Sequence, residues 1–336
     1  MSEIRKGTFS QCPVLYIVVP CYNEEAVLPE SAKQFYRALS DMIAKKLVAS
    51  TSKILFVNDG SRDKTWDLIA KYVKACPLFS GISLAKNRGH QNALMAGLNT
   101  AKNYADITVT IDADLQDDIS AIYEMVEKYK NEECDVVFGV RSERKTDTFF
   151  KRTTAQGFYK LMKWMGVDVI YNHADYRLMS KRALDSLMEY KEVNLFLRGI
   201  VSDIGYKTDM VYYKRSERFA GESKYPLKKM LAFAFQGISS FSISPIRLIT
   251  TLGILVSIGS ICAIIYALIS LAFGTVMPGW TSLLMSVWLL GGLQLLSIGL
   301  IGEYIGKIYL EAKQRPLYFI AKAEGLPKES EQDVSN

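Results

Sequence analysis

The chain has 336 residues, of which 49% are hydrophobic, with a mean hydropathy of +0.07 and a formal net charge of +6. It is too apolar for an ordinary soluble protein and too polar for one that lies in a membrane throughout. Its five scattered cysteines argue against disulfides and a zinc site, and its two histidines exclude a His-rich metal site. No recognised nucleic-acid-binding module is present, so nucleic acid is not an expected partner.

Short apolar runs alternate with helical segments along the first part of the chain. Strands are predicted at VLYIVVP, at KILFVNDGSRDKT with a turn at its end, at the start of GISLAKNRGHQNALMAGLNTAKNYA, at DITVTIDADLQDD and at CDVVFGVR. Helical periodicity follows each of the first four. The alternation predicts an α/β fold of βαβ units, with a parallel sheet covered on both faces.

Polar residues stand where three of the predicted strands end. They are Asn23 and Glu24, Asn58 and Asp59, and Asp112 and Asp114. Because ligands of such sheets bind at the carboxyl ends of the strands, these three ends indicate one shared site. Neither NDGS nor NRGHQNALMAG matches a Walker A loop or the GxGxxG pattern, so ATP hydrolysis and NAD chemistry lose their main support.

Asp112 and Asp114 are separated by one alanine after an apolar strand. Their carboxylates can converge where the chain turns, and hard oxygen ligands with open positions favour Mg²⁺ or Mn²⁺. The alternative is that both aspartates only cap the following helix. Asp59 also has two interpretations, an Asx turn at Asp59-Gly60 or a carboxylate that accepts hydrogen bonds from a base N–H or a ribose hydroxyl.

A long uncharged stretch distinguishes the last third of the chain. No Asp, Glu, Lys, Arg or His occurs from Leu248 to Gly302, which is long enough for two membrane crossings of about 20 residues each. The segment GTVMPGW predicts a turn between them. Basic residues flank the pair on both sides, so the positive-inside rule predicts cytoplasmic termini. The polar N-terminus lacks the apolar run of a cleavable signal peptide.

Seven motifs, in order along the chain, carry a family resemblance. They are VVPCYNEE, FVNDGSRDKT, NRGHQNALMAG, IDADLQDD, DYRLMSKRAL, FLRG and RFAGESKYPLKKM. With the two predicted spans and GLIGEYIGKIYLEAKQRPLYFI, they resemble the family 2 glycosyltransferases of the polyprenyl-phosphate type, the relatives of dolichol-phosphate mannose synthase. The resemblance is strongest to the bacterial undecaprenyl-phosphate glucosyl- and N-acetylglucosaminyltransferases, and it extends from Val14 to Ile320.

The resemblance implies a GT-A fold, a Rossmann-like domain for nucleotide-diphospho-sugar transfer, followed by interfacial helices and two transmembrane helices. By motif position, the residues that would hold the nucleotide are Pro20, Tyr22, Glu24, Asp59 and Asp112. Those that would hold a divalent metal, Mg²⁺ or Mn²⁺, on the diphosphate are Asp112, Asp114 and Gln116. This chain reads DLQDDIS where the family commonly has DLQDPP, so a less rigid loop is expected.

Two basic stretches, Gly139–Trp164 and Lys207–Arg247, suit phosphate groups or an anionic membrane face, although a solvated surface would have the same composition. A lipid phosphate is mostly dianionic at neutral pH, so its reaction with a nucleotide-sugar needs alignment of two anions more than a strong base. The predicted alignment residues are Arg141, Lys151, Arg152, Arg218 and Lys224. Asp175 matches the family position nearest the reacting centre, and its alternative is a structural pair with Arg177.

The predicted organisation is a cytoplasmic catalytic domain at 1–224, an interfacial amphipathic helix region at 225–245, a two-span transmembrane hairpin at 246–310 and a cytoplasmic tail at 311–336. A plain core helix is the alternative for the interfacial region. The segment after Gly325 is expected to be disordered. The protein is thus predicted to be a multi-pass plasma-membrane protein with its catalytic domain in the cytoplasm.

The predicted function is metal-dependent, inverting transfer of a sugar from UDP-glucose or UDP-N-acetylglucosamine to undecaprenyl or another polyprenyl phosphate, for modification of cell-envelope glycans. A processive polysaccharide synthase is one alternative, although two spans and the missing Q-x-x-R-W motif argue against it. A non-catalytic membrane sensor or scaffold is another, and the aspartate pair with the basic loop argues against it. The oligomeric state is open, a homo-oligomer included.

Overall fold

A computed structural model describes residues 12–142, 173–193, 197–215, 244–272 and 279–327 of the chain. These residues divide into two compact units. The first contains the sheet and its helices and includes residues 316–327, and the second contains two long helices.

The sheet unit begins with four strand–helix repeats, as the sequence predicts. They are β1 (Leu15–Cys21), α1 (Leu28–Ala44), β2 (Lys53–Asn58), α2 (Thr65–Ala75), β3 (Phe79–Leu84), α3 (His90–Ala101), β4 (Ile107–Thr110) and α4 (Ala121–Glu132). The following elements are β5 (Val136–Arg141), β6 (His173–Ser180), α5 (Lys181–Glu189), α6 (Leu197–Asp203) and β7 (Thr208–Tyr213), with β8 (Ile320–Glu324) far along the chain.

The eight strands form one mixed sheet in the order β7-β5-β6-β4-β1-β2-β3-β8. Strands β3, β2, β1 and β4 are parallel, and β7 is parallel to β5. Strand β6 runs antiparallel to both β4 and β5, and β8 runs antiparallel to β3. The α/β class is confirmed, whereas the wholly parallel sheet is wrong at β6 and β8. Apolar runs identify strands but carry no direction.

Strand β1 lies in the middle of the sheet, and all seven of its side chains are buried. Burial on both faces explains its continuous apolar sequence. Helix α3 lies close against β1 and β2 at Gly97, where an added Cβ would stand 2.4 Å from Val18 Cγ1 and 2.7 Å from Val57 Cγ2. This contact fixes the helix that begins at His90 above the centre of the sheet.

Strand β8 forms one edge of the sheet, and the sequence did not predict it. Gly81 of β3 is aligned with Glu324, and the Ala85 N–H donates to the Phe319 carbonyl at 2.9 Å. Asn99 Nδ2 of α3 donates to the Tyr318 hydroxyl at 3.1 Å. The strand lies within the segment 311–336 that was predicted to be a tail. Its five residues lie at an edge with mostly exposed side chains, so its sequence has no apolar run to mark it.

Within the described residues, the second unit contains α7 (Ser244–Ala272, 29 residues) and α8 (Trp280–Lys313, 34 residues). At about 1.5 Å per residue, each is longer than the hydrocarbon core of a bilayer. Among the described residues, one segment, Leu289–Lys313, is long and apolar enough to span a membrane by length and composition. The second crossing stays a prediction. The interfacial region predicted at 225–245 lies almost entirely outside the described residues.

Candidate active site

The loops that follow β1 and β2 are joined by hydrogen bonds. The Asn23 N–H donates to Ser61 Oγ at 3.0 Å, and Asn23 Oδ1 accepts from the Arg62 N–H at 2.9 Å. The Glu24 N–H donates to Thr65 Oγ1 at 2.9 Å. Asn23 adopts a left-handed backbone (φ 54°), which asparagine tolerates better than most residues. The CYNEE and GSRDKT motifs therefore form one continuous rim at the carboxyl ends of these strands.

Three of the predicted nucleotide-binding residues lie on this rim or directly below it. Pro20 is buried in β1, where it is aligned with Val57 of β2. Tyr22 keeps 39% of its surface exposed at the end of the strand, and Glu24 is half-buried. The structure brings the three to one strand end, and their contact with a nucleotide stays a prediction.

Asp59 connects the end of β2 to the loop that precedes α3. Its Oδ1 accepts from the Arg88 N–H at 2.7 Å and its Oδ2 from the Gly89 N–H at 2.9 Å. Burial raises the pKa of this carboxyl group, and the two backbone hydrogen bonds oppose that shift. The turn at Gly60 instead uses Asn58, whose Oδ1 accepts from the Ser61 N–H at 3.1 Å. Asp59 thus orients the NRGH loop, a role that the sequence did not predict.

His90, the first residue of α3, lies between two aspartates of the site. Its Nε2 is 3.6 Å from Asp112 Oδ1 and 3.6 Å from Asp175 Oδ2. Desolvation lowers the pKa of His90, but the two carboxylates outweigh it and raise the pKa to about 9. The sequence did not predict a role for this histidine, and its place in the NRGHQ motif was the available signal.

Asp112 and Asp114 stand after β4, as predicted. Burial raises the pKa of Asp112; the nearby carboxylates, Asp117 foremost, raise it further, and His90 partly offsets them. Helix α4 begins at Ala121, and the carboxylate at its start belongs to Asp118, which accepts from the Ser120 N–H at 2.9 Å. The interpretation of Asp112 and Asp114 as helix caps is therefore wrong.

Gln116 lies in a tight turn beside Asp114. Asp114 Oδ1 accepts from the Gln116 N–H at 3.1 Å, and Leu115 between them has a left-handed backbone (φ 57°). The Gln116 side-chain carbonyl accepts from the Arg215 guanidinium. Carboxylate and amide oxygens that gather at a crowded, negatively charged strand end fit a hard divalent cation such as Mg²⁺ or Mn²⁺. The residues present thus suit the predicted metal.

A different group of metal-ligand residue types lies at the opposite end of β5 and β7. Within the described part of the chain, Glu132, Cys134 and Asp209 offer three ligand atoms within 4.8 Å of one another. Lys128 already forms an ion pair with Asp209 there. This cluster precedes β5 and begins β7, so it lies away from the strand ends that carry the candidate site.

Asp175 on β6 is surrounded by cations. Its Oδ1 accepts from Arg177 Nη2 at 3.1 Å, and Arg198 contacts both oxygens through Nε at 3.3 Å and Nη2 at 3.2 Å. Burial opposes ionisation, but Arg198, His90 and Arg177 hold the pKa of Asp175 well below its usual range. The pairing with Arg177 that the alternative interpretation of Asp175 requires is present, and a place near the reacting centre stays a prediction. The sequence did not predict the contact with Arg198 in the FLRG motif.

Arg141, predicted to align the anionic substrates, forms an ion pair within the fold, and its contact with a substrate stays a prediction. Its Nη2 lies 2.9 Å from Asp117 Oδ1 and 3.2 Å from Asp117 Oδ2, and the Asp117 side chain is only 2% exposed. The other predicted alignment residues lie outside the described residues. They are Lys151, Arg152, Arg218 and Lys224.

Residues 16–188 match the family described as Glycosyl transferase family 2. The chain belongs to this family. The prediction from the motifs is confirmed, and this member of family 2 is a glycosyltransferase.

Curated relatives of this family 2 glycosyltransferase match it over nearly their full length. The uncharacterized glycosyltransferase YkoT of Bacillus subtilis is 57% identical over 308 residues, which cover 92% of this chain and 91% of that protein. The SfII prophage-derived bactoprenol glucosyl transferase of Shigella flexneri is 40% identical over 309 residues, which cover 91% and 97%.

Among solved structures, glucosyl-3-phosphoglycerate synthase from Mycobacterium tuberculosis, in complex with Mn²⁺, uridine-diphosphate and phosphoglyceric acid, matches with a TM-score of 0.44 and 19% identity. The match covers 68% of this chain and 76% of that one.

Proposed function

We propose that this glycosyltransferase transfers a sugar from a nucleotide-sugar to a polyprenyl phosphate at the cytoplasmic face of the cell membrane. The observation that carries the proposal is the similarity to the Shigella bactoprenol glucosyl transferase, which extends over 309 of the 336 residues. A match of that length includes most of the two long helices as well as the sheet. The name of the Shigella relative favours glucose as the sugar. N-acetylglucosamine as the second candidate, and UDP as the nucleotide, rest on the motif resemblance.

The proposed reaction is one substitution at the anomeric carbon. A phosphate oxygen of the lipid forms the new bond to C1 while the bond from C1 to the diphosphate breaks, so the nucleoside diphosphate leaves and the configuration inverts. The lipid phosphate is already mostly dianionic at neutral pH, so no strong base is needed. The product is a polyprenyl-monophosphate sugar, a donor for modification of cell-envelope glycans.

Several described residues have proposed roles, which follow from their positions in the candidate site. Asp112, Asp114 and Gln116 would hold Mg²⁺ or Mn²⁺, which when bound neutralises the charge that develops on the diphosphate. Asp175 is held ionised by its cationic neighbours, so it acts as a hydrogen-bond acceptor that orients the sugar or the acceptor.

The remaining proposed roles rest on the sequence. Pro20, Tyr22, Glu24 and Asp59 are proposed to hold the nucleotide. Basic residues outside the described ranges, Arg152, Arg218 and Lys224, are proposed to align the acceptor phosphate.

The long helices have a simple proposed purpose. A polyprenyl chain stays in the bilayer, so an enzyme that uses it must act at the membrane surface. Two crossings by α7 and α8 would place both flanking basic segments on the cytoplasmic side, where the positive-inside rule expects them. The protein is therefore proposed to be a multi-pass membrane protein whose catalytic unit lies in the cytoplasm.

The test is a transfer assay with the purified full chain in lipid vesicles. The vesicles contain undecaprenyl phosphate, and labelled UDP-glucose, UDP-N-acetylglucosamine and GDP-mannose are supplied separately with Mn²⁺ or Mg²⁺. One labelled lipid is expected from a UDP-sugar, and EDTA should abolish it. Asp114→Asn should be inactive, whereas Asp185→Asn, at an exposed carboxylate that pairs with Lys102, should retain activity. A folded protein that transfers none of the three sugars would refute the proposal.

A further inference from the structure

Arg141 and Tyr213 occupy aligned positions at the carboxyl ends of the neighbouring parallel strands β5 and β7. Both side chains reach Asp117. The Tyr213 hydroxyl donates to Asp117 Oδ1 at 2.7 Å, and Arg141 donates to the same oxygen through Nε at 3.1 Å and Nη2 at 2.9 Å. We call these three residues the Asp117 clasp.

The clasp pairs the buried carboxylate of Asp117 with a cation and a hydroxyl. The Asp117 side chain is only 2% exposed, so its carboxylate depends on protein partners. The Arg141 guanidinium donates to both carboxylate oxygens of Asp117. This forked geometry is available to a guanidinium and not to a lysine ammonium. The charge of Arg141 is thus matched inside the fold, which is not the arrangement expected of a residue reserved for a substrate phosphate.

The clasp belongs to a wider set of bonds on the loop that carries the candidate metal ligands. The Tyr176 hydroxyl of β6 donates to the Asp118 carbonyl at 2.8 Å, and its ring meets that of Tyr213 edge-on with centroids 5.2 Å apart. Arg215, just beyond β7, donates to the side chain of Gln116. Strands β5 and β6 and the end of β7 therefore hold residues 116–118, beside the positions 118 and 119 where this chain has Asp and Ile in place of the proline pair common in the family.

We propose that Arg141 is a positioning residue for the metal loop: together with Tyr213 it fixes Asp117, and through the intervening turn it fixes Asp114 and Gln116. The proposal rests on the proposed function only in assuming that these residues hold a divalent cation. In this role Arg141 orients the ligands of the cation and does not align the substrates. Groups that orient metal ligands in this way commonly change metal affinity by 10- to 100-fold when they are replaced.

The experiment measures Mn²⁺ binding directly, by electron paramagnetic resonance of the full chain in detergent, with UDP present. Arg141→Lys keeps a positive charge beside Asp117 but loses the fork, and it should weaken Mn²⁺ binding by about 10-fold. Tyr213→Phe removes the hydroxyl that donates to Asp117 and accepts from Arg141 Nε but leaves the guanidinium fork, and it should weaken Mn²⁺ binding by a smaller factor, about 3-fold. The KM for the lipid phosphate, measured at saturating Mn²⁺, should stay within about 2-fold of the wild-type value in both variants.

Two matched controls separate positioning from general loss of stability. Arg182→Lys alters an arginine that donates through Nε to the buried Asp135 at 3.0 Å, at the other end of β5. Tyr123→Phe removes a tyrosine hydroxyl that donates to Asp41 at 2.8 Å. Both controls should bind Mn²⁺ as the wild type does, and thermal midpoints of all four variants show whether any of them is globally weakened.

Among the variants, three results would overturn the inference: unchanged Mn²⁺ affinity in Arg141→Lys, an equal loss in Arg182→Lys, or a raised KM for the lipid phosphate with normal Mn²⁺ binding. The last result would return Arg141 to the role of a substrate ligand. Failure of the proposed function is distinguishable, since a wild type that binds Mn²⁺ with UDP but transfers no sugar would refute the reaction and leave the clasp supported. Wild type that binds no Mn²⁺ would refute the inference itself.

Discussion

The guanidinium of Arg198 contacts both carboxylate oxygens of Asp175, at 3.3 Å through Nε and 3.2 Å through Nη2. The two residues come from different elements, α6 and β6, and Arg177 bonds both to Asp175 and to the Leu197 carbonyl at the start of α6. A closed set of bonds therefore fixes where the Asp175 carboxylate points.

Replacing Arg198 by lysine should lower kcat by about 10- to 100-fold, because an ammonium cannot hold both oxygens and a small displacement at a reacting centre has effects of this size. The KM for the nucleotide-sugar should change little. Steady-state kinetics of the purified full chain would measure both. An unchanged kcat would show that the orientation of Asp175 is not needed for turnover, and Arg182→Lys is the matched control.

Asp59→Asn should destabilise the sheet unit by about 1–3 kcal/mol, because an amide offers one acceptor oxygen where the Arg88 and Gly89 N–H groups need two. The thermal midpoint should fall by about 2–4 °C for each kcal/mol lost. Asp185→Asn, at an exposed side chain, should leave the midpoint unchanged. A variant as stable as wild type would show that the NRGH loop does not depend on Asp59, and its UDP binding would then test the proposed nucleotide contact alone.

Mn²⁺ together with UDP should raise the thermal midpoint of the wild type, because a ligand that binds only the folded state stabilises it by about 2.7 kcal/mol at 100 times its Kd. EDTA should remove the gain. Asp114→Asn should show little or none of it, since the variant lacks one proposed ligand. Equal shifts in wild type and variant would place the cation elsewhere, and the cluster at Glu132, Cys134 and Asp209 would be the next position to test.

Gly325→Val should detach β8 from the sheet. Gly325 has a φ of 72°, and an added Cβ would stand 2.6 Å from Val73 Cγ1 and 2.8 Å from the Phe79 carbonyl oxygen. Hydrogen exchange of the β3 amides, and of Ala85 in particular, should accelerate. Lys322→Ala truncates an exposed side chain whose ammonium lies 5.9 Å from the centre of the Trp66 ring. The β3 amides of this variant should exchange at the wild-type rate. Protected amides in Gly325→Val would contradict the role assigned to β8.

The sequence predicted much of the site because strand ends are local features. Each of Glu24, Asp59 and Asp112 follows an apolar run, and parallel neighbours bring such ends to one edge. The partners of these residues were not predictable in the same way. Arg198 and His90 both contact Asp175 of β6. These contacts depend on the antiparallel pairing of β6 with β4, in which Thr110 is aligned with Arg177. That direction is set by tertiary packing and leaves no trace in the pattern of apolar residues.

The sequence also does not show which ion pairs form. A basic residue beside an acidic loop is compatible with a substrate ligand and with an internal ion pair, and the sequence alone does not distinguish them. The structure favours the internal pair for Arg141, because the carboxylate of Asp117 is buried and depends on partners within the fold.

The place of β8 has a consequence for how the protein is made. The strand follows both long helices in the chain, yet it completes the sheet whose other strands precede them. The ribosome must therefore synthesise the entire helical unit before β3 can acquire its outer neighbour. Until then the nascent sheet exposes the backbone N–H and C=O groups of β3, an edge of the kind that pairs readily with other chains.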